Sequence, residues 1–176
     1  LGRLRNDSIT DLAALRFGVR VDKEGMLIRD FHTAKSEKSA YVTTRYYLSD
    51  AVFLVGLEGD ESFLRQIDYA LQYPAYPLYL GRRSCPPEGR VSLGVRKGKT
   101  LVQALKEEPW LVSDWIKKKE DAEVRLRIII DAEGDSTNWY IQRDFPLSFS
   151  QSHRQYGFRR VSELNSTVVF NPASAK

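Results

Sequence analysis

The sequence predicts an α+β fold made mostly of antiparallel strands, and three observations support it. Runs of β-branched and aromatic residues, bounded by turn residues, recur along the chain. The segment "DESFLRQIDYALQ" (60–72) places its apolar residues at helical spacing behind Asp60, a typical helix N-cap. The 176 residues, 42% of them hydrophobic, suffice for a core without a disulfide, which a single cysteine excludes.

The first half of the chain predicts three strands, a helix and a fourth strand. "ALRFGVRVD", "KEG" and "MLIRDFHTA" (14–34) predict a β-hairpin in which valines alternate with Arg20 and Asp22. "VTTRYYLSDAVFLVGLEG" (42–59) predicts a long β-run interrupted at Ser49-Asp50, with "AVFLVGL" as a buried central strand. After the helix at 60–72, "LYLG" (78–81) predicts a further short strand.

The second half adds a short helix that opens at Thr100 and is closed by Pro109, followed by strands. These are "EVRLRIIID" (123–131), "NWYIQRDF" (138–145) and the mixed β segment "FRRVSELNSTVVF" (158–170). The chain begins without methionine, so we expect a preceding segment. A strand and a helix there would complete the β-α-β-β-α-β order of a ferredoxin-like fold, which commonly presents its sheet face or loops to RNA. We predict a ferredoxin-like core over 1–110 and a β-rich C-terminal part over 111–176 that packs on it.

Basic residues are concentrated in one segment. Although the net charge is only +4, six lysines and arginines lie between Gly81 and Lys99 against Glu88 alone. Such a concentration is typical of polyanion binders, and it also fits a solvated loop. No apolar run is long enough to span a membrane and no signal peptide is visible, so we expect a soluble cytoplasmic protein without a membrane partner.

The segment "PLYLGRRSCPP" (77–87) holds the only cysteine. An activated Cys85 would need a base, and the two histidines, His32 and His153, lie far away in the sequence. The following prolines exclude a position at a helix N-terminus. No P-loop or metal-ligand spacing is present. We therefore predict that Cys85 is a packing residue and that the protein has no catalytic residue, no metal, no cofactor and no small-molecule substrate.

The same segment places Arg82, Arg83 and Ser84 after Gly81. Two guanidinium groups can grip phosphate oxygens, and a glycine lets the backbone approach a ligand closely. An RNA-backbone cradle and an ordinary turn with solvated arginines both stay open, and from these residues alone the ordinary turn is slightly favoured.

A second candidate group lies at 29–47, which we interpret as two legs of a protruding hairpin around a polar tip. Basic and aromatic residues alternate there, as in surfaces that pair with phosphates and stack on unpaired bases. Tyr46 and Tyr47 should point to opposite faces, so we expect one to face a ligand and the other to lie in the core. The candidates are Arg29, His32, Lys35, Lys38, Arg45 and Tyr46, with Arg154 and Arg159 as a third group near the C-terminus.

Several segments together resemble the e-subtype (CasD) branch of the Cas-five family of RAMP proteins, from type I-E CRISPR Cascade. "YLGRRSCPP" (79–87) is the most specific of them. The others follow in the right order: "LRFGVRVD", "RDFHTA", "TRYYLSDAVFLVGLEG", "EPW" and "RDFPLSFSQSHRQYGFRRV".

This resemblance implies a ferredoxin-like, RRM-related core with a β-hairpin thumb over about 29–47. It implies a non-catalytic subunit that holds the 5′ handle of the crRNA through Arg82, Arg83, Ser84 and Cys85. The partners would be the adjacent backbone subunit and the large subunit of Cascade. In the family a first strand and helix precede the counterpart of Leu1, so their absence would leave a sheet edge exposed. Two alternatives stay open: a metal-independent endoribonuclease acting through His32, and a purely architectural subunit.

Overall fold

A computed structural model describes residues 7–35, 39–134, 137–150 and 152–170. Across these residues, seven strands and four helices follow one another. Their bounds are α1 Thr10–Ala13, β1 Arg16–Lys23, β2 Met26–Lys35, β3 Ala40–Ser49, β4 Val52–Glu58, α2 Glu61–Gln72, α3 Leu101–Glu107, α4 Asp114–Lys117, β5 Glu123–Asp131, β6 Tyr140–Phe149 and β7 Arg154–Val169.

Five strands form one antiparallel sheet in the order β4-β1-β5-β7-β6, and β2 and β3 form a separate two-stranded sheet. The predicted α+β fold, made mostly of antiparallel strands with a separate hairpin, is confirmed. The predicted boundary near residue 110 falls between α3 and β5, and the sheet continues across it because β5 pairs with β1.

Two predictions about the early strands are wrong. β1 does not form a hairpin with β2; Val19 pairs instead with Val55 of β4 and Ile129 of β5. β4 is not a central strand, since it is the first strand of the five-stranded sheet, and Phe53 and Val55 on it are 43% and 53% exposed. Apolar composition predicted the strand correctly, but it could not show which strands lie on either side of it.

α3 covers one face of the sheet and builds the main core. Its N-cap Thr100 and Gln103 form the reciprocal capping box, and Leu101 and Leu105 are buried against Leu54, Ile128 and Ile130. The helix lies so close that a Cβ on Gly56 would approach Leu101 Cδ1 to 2.6 Å. A second cluster, centred on Trp110 and Leu126, continues the core along the same part of the sheet.

A buried ion pair links β1 to the end of α3. Arg20 is fully buried and donates through Nε and Nη2 to the Asp22 carboxylate at 2.7 and 2.9 Å. Its guanidinium also donates to three main-chain carbonyls at and just after the C-terminal end of α3, those of Leu105, Glu108 and Pro109. The Arg20 guanidinium and the Asp22 carboxylate are thus both buried and both hydrogen-bonded, which is the condition under which a protein tolerates buried ions.

The predicted helix at 60–72 is confirmed, and Asp60 caps it by accepting the Phe63 N–H at 3.0 Å. The Ser62 hydroxyl and the Phe63 N–H hold the pKa of Asp60 below its usual value. No helix of the described residues is both long and apolar enough to cross a membrane.

Candidate nucleic-acid interface

The hairpin of β2 and β3 presents two different faces, which follow from its register. Arg29 lies opposite Tyr46 and Asp30 opposite Arg45, so alternate pairs point to opposite sides. One side, here called the outer face, is exposed at every position: Leu27, Arg29, Phe31, Thr33, Lys35, Ala40, Val42, Thr44, Tyr46 and Leu48. The other, the inner face, carries the half-buried residues Asp30, Ala34, Thr43, Arg45, Tyr47 and Ser49.

The two faces divide the predicted hairpin residues. Arg29, Lys35 and Tyr46 share the outer face, and Tyr46 is 62% exposed. His32 and Arg45 belong to the inner face. Lys38 lies outside the described residues. The hairpin therefore offers an apolar and basic surface on one side, and a mixed polar surface on the other.

On the inner face, His32 is paired with a carboxylate. Its Nε2 lies 2.8 Å from Asp30 Oδ2, and both side chains are about half exposed. The Thr43 hydroxyl donates to the His32 carbonyl at 3.2 Å and ties this position to β3. A histidine held by a carboxylate in this way has a fixed ring orientation at an accessible surface.

The loop that holds Arg82 and Arg83 is a closed turn rather than the end of a strand. The predicted strand at "LYLG" is wrong, because residues 73–100 contain no regular element. The Leu80 N–H donates to the Cys85 carbonyl at 2.8 Å, and the Cys85 N–H donates to the Arg82 carbonyl at 2.9 Å. Gly81 has a φ of 78°, a left-handed conformation that glycine adopts without strain. The turn leaves Arg82, Arg83 and Ser84 exposed, while Cys85 is half-buried.

One contact joins this turn to the hairpin: the Arg82 guanidinium carbon lies 5.1 Å from the centre of the Tyr47 ring. The expectation that one of Tyr46 and Tyr47 lies in the core is wrong: Tyr46 is exposed, and Tyr47 is half-buried on the inner face, where it contacts Arg82. Two candidate groups that are 35 residues apart along the chain, Arg82 and Tyr47, thus form one surface. The alternation of Tyr46 and Tyr47 was the only sequence signal for this, and it did not reveal the partner.

The basic segment divides into neutralised and unpaired residues. Arg96, Lys97 and Lys99 form ion pairs with Glu108, Glu61 and Glu107 respectively. The ion pair with Lys97, followed by that with Arg65, lowers the pKa of Glu61. Within the described ranges, neither Arg82 nor Arg83 forms an ion pair. Within the basic segment, the arginines without an ion pair to a described residue are therefore Arg82 and Arg83, at the turn beside the hairpin, and Arg90.

The third predicted group does not join this surface. Arg159 donates to Asp144 at 2.6 and 2.7 Å and to Asp131 at 2.6 Å, with only 16% of its side chain exposed. The hydrogen bonds to Arg159 lower the pKa of Asp144, and those to Asp144 and Asp131 raise the pKa of Arg159. Its donors are committed within the sheet, which speaks against the predicted RNA contact. Arg154 is exposed, but it begins β7 at the opposite end of the sheet from the hairpin.

Among the described residues, no group of His, Cys, Asp and Glu side chains is arranged to hold a metal ion. The surface of the hairpin and turn can instead offer guanidinium donors, aromatic rings and one histidine–carboxylate pair. These features define a protein that binds a polyanion over an accessible surface rather than within a deep pocket.

The comparisons with known proteins agree with this class. The family model Cas_Cas5d, described as CRISPR-associated protein (Cas_Cas5), matches residues 1–162. A solved structure described as a CRISPR RNA-guided surveillance complex superposes with a TM-score of 0.74 at 28% identity, covering 96% of this chain and 74% of that chain. Another, described as the crystal structure of a Cas protein, has a TM-score of 0.71 at 32% identity and covers 97% and 78% respectively. Among curated proteins, no significant match is found. The chain belongs to the CRISPR-associated Cas5 family.

Proposed function

We propose that the chain is the non-catalytic crRNA-binding subunit of a type I-E Cascade and holds the 5′ handle of the crRNA at the turn of Arg82, Arg83 and Ser84. The observation that carries this proposal is the contact of Arg82 with Tyr47, which places two unpaired arginines at the base of the exposed hairpin. Membership of the Cas5 family and the likeness to a surveillance-complex subunit support it.

The hairpin extends this role to a neighbouring protein. Its outer face combines exposed apolar residues, Leu27, Phe31 and Leu48 among them, with Arg29 and Lys35. Exposed apolar patches of this kind mark contact surfaces. In the proposed assembly this face contacts the adjacent backbone subunit, while the inner face and the turn line the path of the RNA. We further propose a cytoplasmic location, in contact with the large subunit.

The test compares wild type with Arg82→Ala/Arg83→Ala in binding to RNA of the associated CRISPR repeat. The matched control is Lys106→Ala/Arg125→Ala, which removes the same charge from two exposed positions on α3 and β5. We expect the turn variant to bind at least tenfold more weakly, with a shallower salt dependence of log Kd, because each neutralised phosphate releases counterions. Equal affinities of the turn variant and the control would overturn the assignment.

A second candidate, metal-independent cleavage of pre-crRNA, is favoured by the pair of His32 and Asp30, 2.8 Å apart on the inner face. A histidine oriented by a carboxylate is a general acid–base unit, and the matching family model carries the d-subtype name Cas_Cas5d. Incubation of the protein with repeat RNA in EDTA distinguishes the two functions. We expect intact RNA; discrete products that His32→Ala abolishes would establish the nuclease instead.

A purely architectural role is the third outcome. It would follow if the protein entered the complex normally but formed no crosslink to RNA. Copurification of the protein from its native operon, with analysis of the RNA and the large subunits that accompany it, decides between these roles.

A further inference from the structure

We propose that the hairpin of β6 and β7 carries a second binding surface, for single-stranded nucleic acid, which goes beyond the proposed handle-binding role and does not depend on it. The surface lies on one face of the two strands and is called the ribbon face. Its residues are Trp139, Arg143, Arg154, Tyr156, Phe158 and Arg160.

The register of β7, together with the ring contacts that join Arg143 to Phe158 and Trp139 to Arg160, shows that these residues share a face. β7 is regular, so Arg154, Tyr156, Phe158 and Arg160 point to the same side. On the paired strand, two irregularities fall within β6, between Gln142 and Phe145 and between Pro146 and Ser148. Such bulges bend and re-aim a strand locally.

Contacts across the two strands stack arginines on aromatic rings. The Arg160 guanidinium carbon lies 4.5 Å from the centre of the Trp139 ring, and that of Arg143 lies 5.7 Å from the centre of the Phe158 ring. An arginine that lies over a ring keeps its planar edge for phosphate. Ring contact therefore positions both guanidinium groups without using up their donors.

The charge on the ribbon face is not neutralised within the chain. None of Arg143, Arg154 and Arg160 forms an ion pair with a described residue. The carboxylates of this region lie on the other side of the ribbon, where Asp131 and Asp144 hold Arg159. On one face of the hairpin the arginine is neutralised by carboxylates, whereas the opposite face is basic.

The aromatic rings on the ribbon face are accessible. Phe158 is 68% exposed, and Trp139 and Tyr156 are 40% exposed. Ile141, opposite Arg160, adds an exposed apolar side chain beside them. Tyr156 and Phe158 are two residues apart on one strand, a separation of about 6.8 Å. Rings at such intervals beside unpaired arginines are the arrangement on which successive unpaired bases stack.

The composition of this face favours nucleic acid over an acidic protein as the occupant. An acidic protein surface would require only the positive charge, whereas an array of accessible rings between arginines also offers stacking partners for bases. The ribbon face also lies away from the hairpin of β2 and β3. β7 begins beyond the start of β1, since Val161 is opposite Asp131 and Asp131 accepts the Phe17 N–H, whereas β2 follows the end of β1.

The test uses the whole chain and a fluorescein-labelled oligouridine of about 12 nucleotides, a length within the usual site sizes of such surfaces. Phe158→Ala should weaken binding by about fivefold or more, through loss of stacking on one base. Arg143→Ala/Arg160→Ala should reduce the slope of log Kd against log salt by about 1.4, because each phosphate of a single strand contributes about 0.7. Arg125→Ala, an exposed arginine of β5, is the control and should change neither the affinity nor the slope by as much.

Two further measurements separate the possible occupants. In a Trp115→Phe background, oligouridine should quench the fluorescence of Trp139, because Trp110 is buried. Phe158→Leu keeps an apolar side chain but removes the ring, and should weaken oligouridine binding as Phe158→Ala does. The proposal is overturned if polyglutamate binds as tightly as oligouridine, or if both Phe158 variants bind the oligonucleotide like wild type. Because Arg82→Ala/Arg83→Ala leaves the ribbon face intact, failure of this proposal and failure of the handle-binding role are read from different variants.

Discussion

β1 in the sheet and β2 in the hairpin have similar alternating sequences but opposite surroundings. In β1, the charged residues Arg20 and Asp22 are buried, whereas Val19, which points to the other side of the strand, is only half-buried. In β2, the apolar residues Leu27 and Phe31 are 67% and 66% exposed.

Alternation in a strand therefore defines which residues share a face, but it does not define which face is covered. The side of β1 that carries Arg20 is buried because α3 packs on it and supplies carbonyl acceptors. The outer face of β2 is exposed because no described element packs on it. Burial is decided by the neighbouring element rather than by the polarity of the strand itself.

The largest effect that tests this comparison is the loss of the buried ion pair. Asp22→Ala should lower the free energy of unfolding by about 3–5 kcal/mol, because it leaves the Arg20 guanidinium buried without a counter-ion. The Leu111 N–H, which donates to Asp22 at 2.8 Å, would lose its acceptor as well. Urea denaturation measures the change.

The exposed pair of Arg65 and Glu61 provides the control for that experiment. Its side chains are 53% and 51% exposed, and Lys97 also pairs with Glu61, so Arg65→Met should lower the free energy of unfolding far less than Asp22→Ala does. The double variant Arg20→Met/Asp22→Leu should lose less than the sum of its single changes, since neither ion remains unpaired. A cost for Asp22→Ala no larger than that for Arg65→Met would mean that the buried pair in β1 contributes no more to stability than an exposed pair.

Much of the fold could be predicted from the sequence where local chemistry determines it. The strand at 123–131, the helix at 60–72 with its cap Asp60, and the helix after Thr100 follow from periodicity and capping residues alone. Strand pairing could not be predicted. The turn at Gly25 suggested that β1 and β2 pair, but β1 acquires its neighbours from β4 and from β5, which lies more than 100 residues further along.

The residues of the candidate site could also be predicted only in part. Arg82 and Arg83 were identified from composition and from the family resemblance, and the structure leaves both exposed. Arg159 had the same local chemistry, yet Asp131 and Asp144 neutralise it. Those carboxylates are 28 and 15 residues away from Arg159 along the chain, so no local pattern could show that they surround it.

The next largest effect on stability is expected from removal of an apolar side chain, and it should differ between the core and the outer face of the hairpin. Leu105→Ala in α3 should cost about 2–5 kcal/mol, because the side chain is buried between the helix and the sheet. Phe31→Ala on the outer face of the hairpin removes a larger side chain but should change stability by less than about 0.5 kcal/mol. Thermal unfolding of both variants measures the two losses of stability. Similar losses would mean that the outer face is covered in the free chain.

A smaller effect is expected from the ion pair of Arg159 and Asp144, and it depends on pH. The pKa of Asp144 is lowered in the folded chain, so the pair stabilises the fold above the ordinary value of 3.8 and is lost as the pH falls through the folded pKa. Asp144→Asn should therefore cost about 1 kcal/mol at neutral pH, a modest figure because the pair is partly solvated. Below the folded pKa the variant and wild type should converge. A difference that grew as the pH fell would reverse the assigned sign.

The smallest effect concerns the contact that joins the turn to the hairpin. Arg82 over the ring of Tyr47 should contribute about 0.5–1 kcal/mol, the usual range for a cation–π contact near the surface. A double-mutant cycle of Arg82→Ala and Tyr47→Ala should show this coupling in the hydrogen-exchange protection of amides at the base of the hairpin. The matched cycle of Arg83→Ala and Tyr46→Ala uses the same residue types, but Tyr46 points to the outer face and should show no coupling. If the two cycles gave equal couplings, the turn and the inner face would be independent surfaces, and a single RNA path over both would lose its structural basis.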